Sequence, residues 1–369
     1  MRIAIITFSD FNTNYGSRLQ AYSLANFLER NGHEVEFIRY REFNKTPIPT
    51  SIRAGVSLIA SKAIKVIDKN NRDKRNVEFN NFSEKFLNHT RLYTSNDELK
   101  FNLPEYDCYI CGSDQIWNLE CLGGLRTPYF LDFVPKGKLK IAYAPSFGNY
   151  KIDYGIKNQI SKLIEGFDAL SVREFSGVNM LQKYTNKKIE HVLDPAFLTS
   201  KEEWEEILPS IEDEKEFGIC YLVRRSKECN KLISNLKNIK GTTIYNLSDN
   251  SINVRGTSNK YITSGPLEFL SLIKNAKFAI GTSFHLAVFS IIFNIPFVIV
   301  GMKSNESRLK SLLENLGCED RFITVENINE EKILELLQNN DMKSINSKLL
   351  KEIKNSKKYL IDSINKSKK

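Results

Sequence analysis

Two Rossmann-like α/β halves facing each other across a cleft are what this sequence predicts, and three observations lead there. The chain has 369 residues and is 41% hydrophobic, enough for more than one core when a domain takes about 100–200 residues. Short apolar, β-branched runs alternate with helix-period stretches along most of its length. Those runs end repeatedly in small or polar residues, as strands of a parallel sheet do where they turn into loops.

The first unit reads as βαβ: a strand over 3–7, a loop over 8–15, a helix to about Arg30 with Leu19, Tyr22, Leu24 and Leu28 inward, and a strand over 34–38. Gly32 marks the helix end. Residues 52–103 are rich in Lys, Arg and Asn, with Val56, Ile59, Ala63, Ile67, Phe79, Phe82 and Phe86 at helical spacing, which predicts a helical insertion with one solvated side. Strand-like runs follow at 106–111, 139–144, 169–172 and 191–193. They end in Gly112-Ser113-Asp114-Gln115, Pro145-Ser146-Phe147-Gly148, Arg173-Glu174 and Asp194-Pro195. Ligands of open parallel sheets bind beyond the carboxyl ends of strands, so these endings are where function is expected.

A polar stretch over 199–216 predicts the linker, dividing a first domain of residues 1–200 from a second of 201–369. Beyond it the rhythm resumes with strands at 217–223, 242–247, 278–280 and 297–300 and helices at 229–239, 266–275 and 284–293. The Lys-rich helical stretch over 328–364 either closes the second domain or reaches back over the first.

Composition narrows the function classes. The apolar run after Met1 is too short for a signal peptide and no run approaches the roughly 18–20 apolar residues of a membrane span, so a cytoplasmic protein is expected. Of six cysteines only Cys108 and Cys111 lie close, and three positions apart on a strand puts them on opposite faces, so buried free thiols are expected rather than a metal or redox pair. The net charge of +9 comes from lysines spread along the chain without an aromatic-basic motif, which predicts a solvated basic surface, attraction to an anionic membrane face and no nucleic-acid partner. There is no G-x-G-x-x-G, Walker A or D-x-D pattern, so a nicotinamide cofactor and a P-loop nucleotide are disfavoured and metal-independent chemistry is expected.

The strongest local signal is Gly281-Thr282-Ser283-Phe284-His285, between a strand and an apolar helix. Thr282 or Ser283 can cap that helix, placing His285 in a first turn where backbone N–H groups and the helix dipole favour an anion. A bound anion would favour the protonated imidazole that the dipole alone disfavours, a useful property in a general acid or base. Asn305-Glu306-Ser307-Arg308 follows the next strand, and Arg308 offers a planar fork for phosphate or carboxylate. Asp114 stands where it can position an acceptor hydroxyl or act as its base, whereas Asp194, before Pro195, reads as a turn or cap residue.

Several segments together resemble the polysaccharide pyruvyltransferase family: Asn14-Tyr15-Gly16 with Leu19-Gln20, Gly112-Ser113-Asp114-Gln115-Ile116-Trp117-Asn118, Ser171-Val172-Arg173-Glu174, Leu193-Asp194-Pro195, Thr282-Ser283-Phe284-His285, and Asn305 with Arg308. The resemblance implies a GT-B-like fold and a transferase of polysaccharide biosynthesis, of capsule or exopolysaccharide. Such an enzyme would use phosphoenolpyruvate, with no other cofactor, to build a pyruvate ketal on a sugar diol of a surface polysaccharide or its lipid-linked precursor. It implies His285 as the catalytic histidine, with arginines of the cleft as donor ligands; Asp114 joins it as a catalytic candidate from its place at a strand end. It assigns Ser283, Phe284, Asn305, Arg308, Arg173 and Arg224 to the donor, and Asn14, Tyr15, Gly16, Gln20, Gln115 and Trp117 to the acceptor. The first domain would then take the acceptor and the second the donor, at or near the inner face of the membrane. Many members carry Arg-Leu-His where this chain has Ser283-Phe284-His285, so anion binding falls to Arg308, Arg173 or Arg224. A nucleotide-sugar glycosyltransferase of GT-B type and a non-catalytic scaffold of a glycan assembly complex are the rival expectations.

Overall fold

The structure, a computed structural model, describes residues 1–10, 12–42, 69–212, 215–223, 226–236, 242–248, 254–301, 306–338 and 343–366. The chain opens with β1 (Arg2–Ile6), α1 (Tyr15–Arg30) and β2 (Glu34–Tyr40). Asn14 starts α1 by accepting hydrogen bonds on its side chain from the N–H groups of Gly16 (3.0 Å) and Ser17 (3.4 Å), and Gly32 ends it at φ +80°. After α2 (Lys69–Phe86) come β3 (His89–Tyr93), β4 (Cys108–Cys111), β5 (Leu139–Ala142), α3 (Lys157–Glu165), β6 (Ala169–Val172), α4 (Phe175–Leu181) and β7 (Ile189–His191). These strands form one parallel sheet in the order β3-β2-β1-β4-β5-β6-β7.

The parallel register aligns Ile5 with Phe37 on one side and Ile110 on the other, so the strands' carboxyl ends share one rim. Helices cover both faces, which is why β4 and β6 are buried at every position and read as continuous apolar runs. Cys108 and Cys111 are both buried and belong to the cores on opposite faces of the sheet, as the odd spacing requires.

The stretch expected to be a helical insertion departs from that expectation at β3. Residues 43–68 lie outside the described residues, α2 is helical, and His89–Tyr93 pairs with β2 as the edge strand. An edge strand needs few inward apolar residues, and here Thr90 and Tyr93 alone turn into the core, a pattern too thin to outweigh the surrounding Lys, Arg and Asn.

The second sheet holds β8 (Phe217–Tyr221), β9 (Thr243–Asn246), β10 (Phe278–Gly281), β11 (Phe297–Gly301) and β12 (Phe322–Thr324), all parallel, in the order β12-β11-β10-β8-β9. Its helices include α5 (Pro266–Asn275), α6 (Phe284–Phe293) and α7 (Glu306–Leu316). The long α8 (Lys343–Asn365) reaches back over the first sheet, where Tyr359 donates its hydroxyl to the Ala142 carbonyl (3.0 Å) and Ser356 accepts from the Leu193 N–H (2.9 Å).

One hydrophobic core runs through both halves, joining Ile5, Leu19 and Leu24 to Phe217, Phe269 and Phe289. Tyr15 is a rivet of this junction: its ring stacks on Phe269 at 4.0 Å and its hydroxyl donates to the Ser264 carbonyl at 3.0 Å. Arg75 lies over the same ring and donates to the Ile262 carbonyl (3.0 Å), fixing α2 to the second half.

Trp117 is wholly buried, stacked on Phe130 at 4.8 Å with its indole N–H given to the Tyr129 carbonyl (2.9 Å). The acceptor role expected for it gives way to a place in the core, because a ring with no exposed atom cannot meet a sugar. Trp117→Ala should cost about 3–5 kcal/mol, read from the urea midpoint at unchanged slope.

Candidate active site

The rims of the two sheets meet at Asp194, just past β7. Its Oδ1 accepts from the Ala196 N–H (3.0 Å), capping a short 3-10 turn over Pro195–Leu198, while its Oδ2 accepts from Arg173 Nη1 (2.5 Å) and Ser113 Oγ (3.2 Å). Arg173 leaves the end of β6, donates a further bond to Ser113 Oγ (3.2 Å), and faces Glu174 with its Nε at 3.4 Å from Oε1. Both side chains of the Arg173–Asp194 pair are shielded from solvent. Burial alone would raise the Asp194 pKa, but His285 and Arg173, with the Ala196 N–H, hold its carboxyl well below the usual carboxylate range.

His285 comes to this carboxylate from the other half. Ser283 caps α6 by accepting from the Leu286 N–H (3.4 Å), and the first turn carries His285 Nε2 to 3.6 Å from Asp194 Oδ2. That separation is an electrostatic contact longer than a hydrogen bond. On its other side the ring meets α1 so closely that a Cβ at Gly16 would lie 1.9 Å from Nδ1. Glycine is the residue that lets the first helix of one half abut the imidazole of the other.

Asp114 is tied to that same helix start. Its Oδ2 accepts from Ser17 Oγ (2.7 Å) and its Oδ1 from the Gln115 N–H (2.8 Å), with Asp114 itself in the left-handed region at φ +73°. A non-glycine residue held there is a local strain that its surroundings must enforce.

Phe284 and Arg308 complete the seam. The Arg173 guanidinium lies 4.4 Å from the Phe284 ring centroid, and that of Arg308, on α7, lies 5.9 Å away. Burial, reinforced by Arg173, pulls Arg308 down to about 10, which leaves it cationic at neutral pH. Burial pushes Glu174 up, against the opposing pull of Arg173, Ser146 and Arg308. Three buried nitrogens here have no hydrogen-bond partner: Arg173 Nη2, His285 Nε2 and Arg308 Nε. Buried polar atoms are seldom left unpaired, and these three belong to the groups an anion would engage.

The structure thus brings together His285, Ser283, Phe284, Arg173, Arg308, Asp114 and Gly16 of the residues expected from sequence. Asn14 is spent on capping α1, and Gln115, half-buried, accepts from Asn118 Nδ2 (2.8 Å). Tyr15 and Gln20, expected at the acceptor, have no exposed surface; Gln20 Nε2 donates inward to Thr7 Oγ1 (3.2 Å) and the Ser17 carbonyl (3.0 Å). Asn305 and Arg224 lie outside the described residues. Asp194 was underrated as a turn residue: it does cap a turn, but its second oxygen is the hub of the site. An Asp-Pro closing one strand beside an Arg-Glu closing the next was the available signal. Ser17 had none, and Ser113 was marked only by its place in the strand ending Gly112-Ser113-Asp114-Gln115.

Facing parallel rims, a seam of paired charges and a histidine carried in from the second half define a two-domain GT-B-like enzyme fold. Among solved structures, S. aureus MnaA with UDP matches at TM-score 0.57 and 11% identity, over 99% of this chain and 96% of that one. The UDP-GlcNAc 2-epimerase from Methanocaldococcus jannaschii matches at TM-score 0.49 and 15% identity, over 92% of each chain. No curated protein matches the sequence. The chain belongs to the polysaccharide pyruvyl transferase family, whose sequence model matches residues 14–304, and is accordingly a transferase.

Gly16→Ala should force the imidazole aside or part the two halves. A loss of about 1–3 kcal/mol in denaturant unfolding, with displaced His285 ring resonances by NMR, is expected. Burial also lowers the pKa of His89, which contacts Ser9 Oγ, and of His191, which contacts the Arg173 carbonyl, to about 4 each. Below the unfolded value of about 6.5 the unfolded chain binds protons that the folded chain refuses, so stability falls as pH drops from about 6.5 towards 4. The slope of unfolding free energy against pH should approach two protons there, and His191→Gln should remove one.

Proposed function

We propose that this enzyme transfers pyruvate from phosphoenolpyruvate to two hydroxyls of one sugar residue, forming a cyclic ketal and releasing phosphate. The observation that carries this reading is the convergence of three unpartnered buried nitrogens, on His285, Arg173 and Arg308, around the Phe284 ring. Phosphoenolpyruvate presents both a carboxylate and a phosphate, and two guanidiniums about one aromatic ring suit a molecule with two separate anionic groups.

The chemistry is that of an enol phosphate ester protonated at carbon. A proton delivered to C3 makes that carbon a methyl group and leaves C2 electron-poor. One sugar hydroxyl adds to C2 and gives up its proton, the C2–O bond to phosphate breaks, and the second hydroxyl closes the ring with loss of its own proton. His285 supplies the C3 proton, its ring held between Gly16 and the Asp194 carboxylate, and Arg173 and Arg308 take the charge of the departing phosphate. Asp114, held by Ser17, accepts a hydroxyl proton. The donor lies against α6 and α7 of the second half and the acceptor reaches it from the first. A lipid-linked precursor fits a chain of net charge +9, which would be drawn to an anionic membrane face. Among the described residues no helix is long and apolar enough to cross a membrane.

His285→Ala should lower acceptor-dependent phosphate release from phosphoenolpyruvate by at least about 100-fold while leaving the circular dichroism spectrum unchanged. Phosphoenolpyruvate at about 100 times its dissociation constant should stabilise the native protein by about 2.7 kcal/mol, and Arg308→Ala should abolish that gain. The acceptor product should gain the mass of pyruvate less water. Stabilisation by UDP or GDP with none by phosphoenolpyruvate would replace this reading with glycosyl transfer, and full activity in His285→Ala would remove the histidine from the chemistry.

A further inference from the structure

Beside the seam is a cavity of about 800 Å³, open on one side. Its walls are the loop after β5 from Gly148 to Ile152, the face of α4 with Met180, the following Lys183 and Tyr184, and the start of α7. Sites for small organic ligands occupy about 300–1,000 Å³, so it accommodates a short oligosaccharide.

Its inner wall is continuous with the site. Gly148 donates its N–H to Ser146 Oγ (3.0 Å), and Ser146 in turn stands against the Glu174 carboxyl. The Gly148 carbonyl accepts from Ser307 Oγ (2.8 Å), the residue before Arg308. At φ +60° Gly148 leaves no room for a side chain, since a Cβ would lie 2.7 Å from Gln115 Oε1. The wall is therefore one backbone thick, with Gln115, next to Asp114, directly behind it.

The lining has two chemical parts. Half-buried Tyr150 and Tyr184, with Met180 and Ile152, offer the apolar and aromatic faces against which sugar rings pack. Around them stand Lys151, Lys183 and Lys310, with two carboxylates: Glu306, which pairs with Lys310, and Asp153, which accepts from the Tyr150 hydroxyl (2.9 Å). Three lysines against these two carboxylates leave the cavity one positive charge in excess, carried by Lys151 and Lys183.

We infer that this cavity is the acceptor entrance and that it takes a glycan bearing a negative charge, either a sugar carboxylate or a phosphate ester, held by Lys151 and Lys183. The inference rests on the pyruvyl-transfer reading, and it moves the acceptor away from Tyr15, Gln20 and Trp117, which the fold buries. Neither lysine belongs to the reacting cluster.

The test is direct binding, by titration calorimetry on the full chain, of digalacturonate, galactose 1-phosphate and neutral lactose, with wild type and with the double variant Lys151→Glu/Lys183→Glu. The charged probes should bind wild type and lose about tenfold or more in the variant, with lactose weaker and insensitive to the change. Digalacturonate alone responding identifies the charge as a carboxylate; galactose 1-phosphate alone responding identifies it as phosphate. Unchanged affinity for the charged probes in the variant overturns the inference, as does lactose binding as tightly as they do, or none of the three binding wild type at millimolar concentration. Thermal stabilisation by phosphoenolpyruvate, measured on both proteins and expected to be equal, keeps this result apart from the donor reading: the cavity can fail while phosphoenolpyruvate still binds, and the reverse.

Discussion

The buried contact of Asp194 with Arg173, beneath His285, is the constraint on which the site depends. A carboxylate and a guanidinium removed from water each carry a desolvation cost of several kcal/mol, recovered only when the geometry satisfies both. Here Asp194 accepts from Arg173, Ser113 and Ala196, and Arg173 also lies over Phe284. One carboxylate therefore binds the ends of β4, β6 and β7 to the helix that follows β10. No one of these strand ends can shift without leaving a buried charge unpaired, and that fixes the imidazole against the sheet of the opposite half.

The second constraint is steric and acts from the other side of the ring. Gly16 and Ser17 are neighbours at the start of α1; one has no side chain and so admits His285, and the other gives its hydroxyl to Asp114. The first turn of α1 thus sets the spacing between His285 and Asp114. Tyr15, one residue earlier, locks the same turn into the core shared by both halves. The seam is consequently part of the folded core, and the packing energy of the junction maintains the site geometry.

Much of this was legible because parallel strands buried on both faces leave continuous apolar runs, and because their ends collect small and polar residues. The position of His285 followed from a strand, a cap residue and an apolar helix in immediate succession, all local information. The split of Cys108 and Cys111 between two cores followed from strand period alone. The strand β3 escaped because an edge strand with two inward residues leaves almost no periodic signal. Tyr15, Gln20 and Trp117 were assigned to a ligand although each is buried, since the same residue types serve packing and recognition and sequence does not record which atoms reach water. Asp194 was hidden for a different reason: its two oxygens do two jobs, and only the turn-capping one is written in the adjacent proline.

The distribution of charge extends the same logic outward. The chain carries +9 overall, yet the seam sets two guanidiniums against the carboxylates of Asp194, Glu174 and Asp114, so its fixed charges are close to balanced. A site of this kind attracts an anion weakly at long range and holds it through directed donors at short range. Long-range attraction is left to the lysine-rich surface, which raises the encounter rate with anions and is screened beyond about 8 Å at physiological salt. Separating the two tasks has a chemical consequence. A pocket with a large positive excess would hold any anion firmly, whereas near-balance leaves binding to directed donors, and burial, which pushes Glu174 up, moves that balance in an anion's favour.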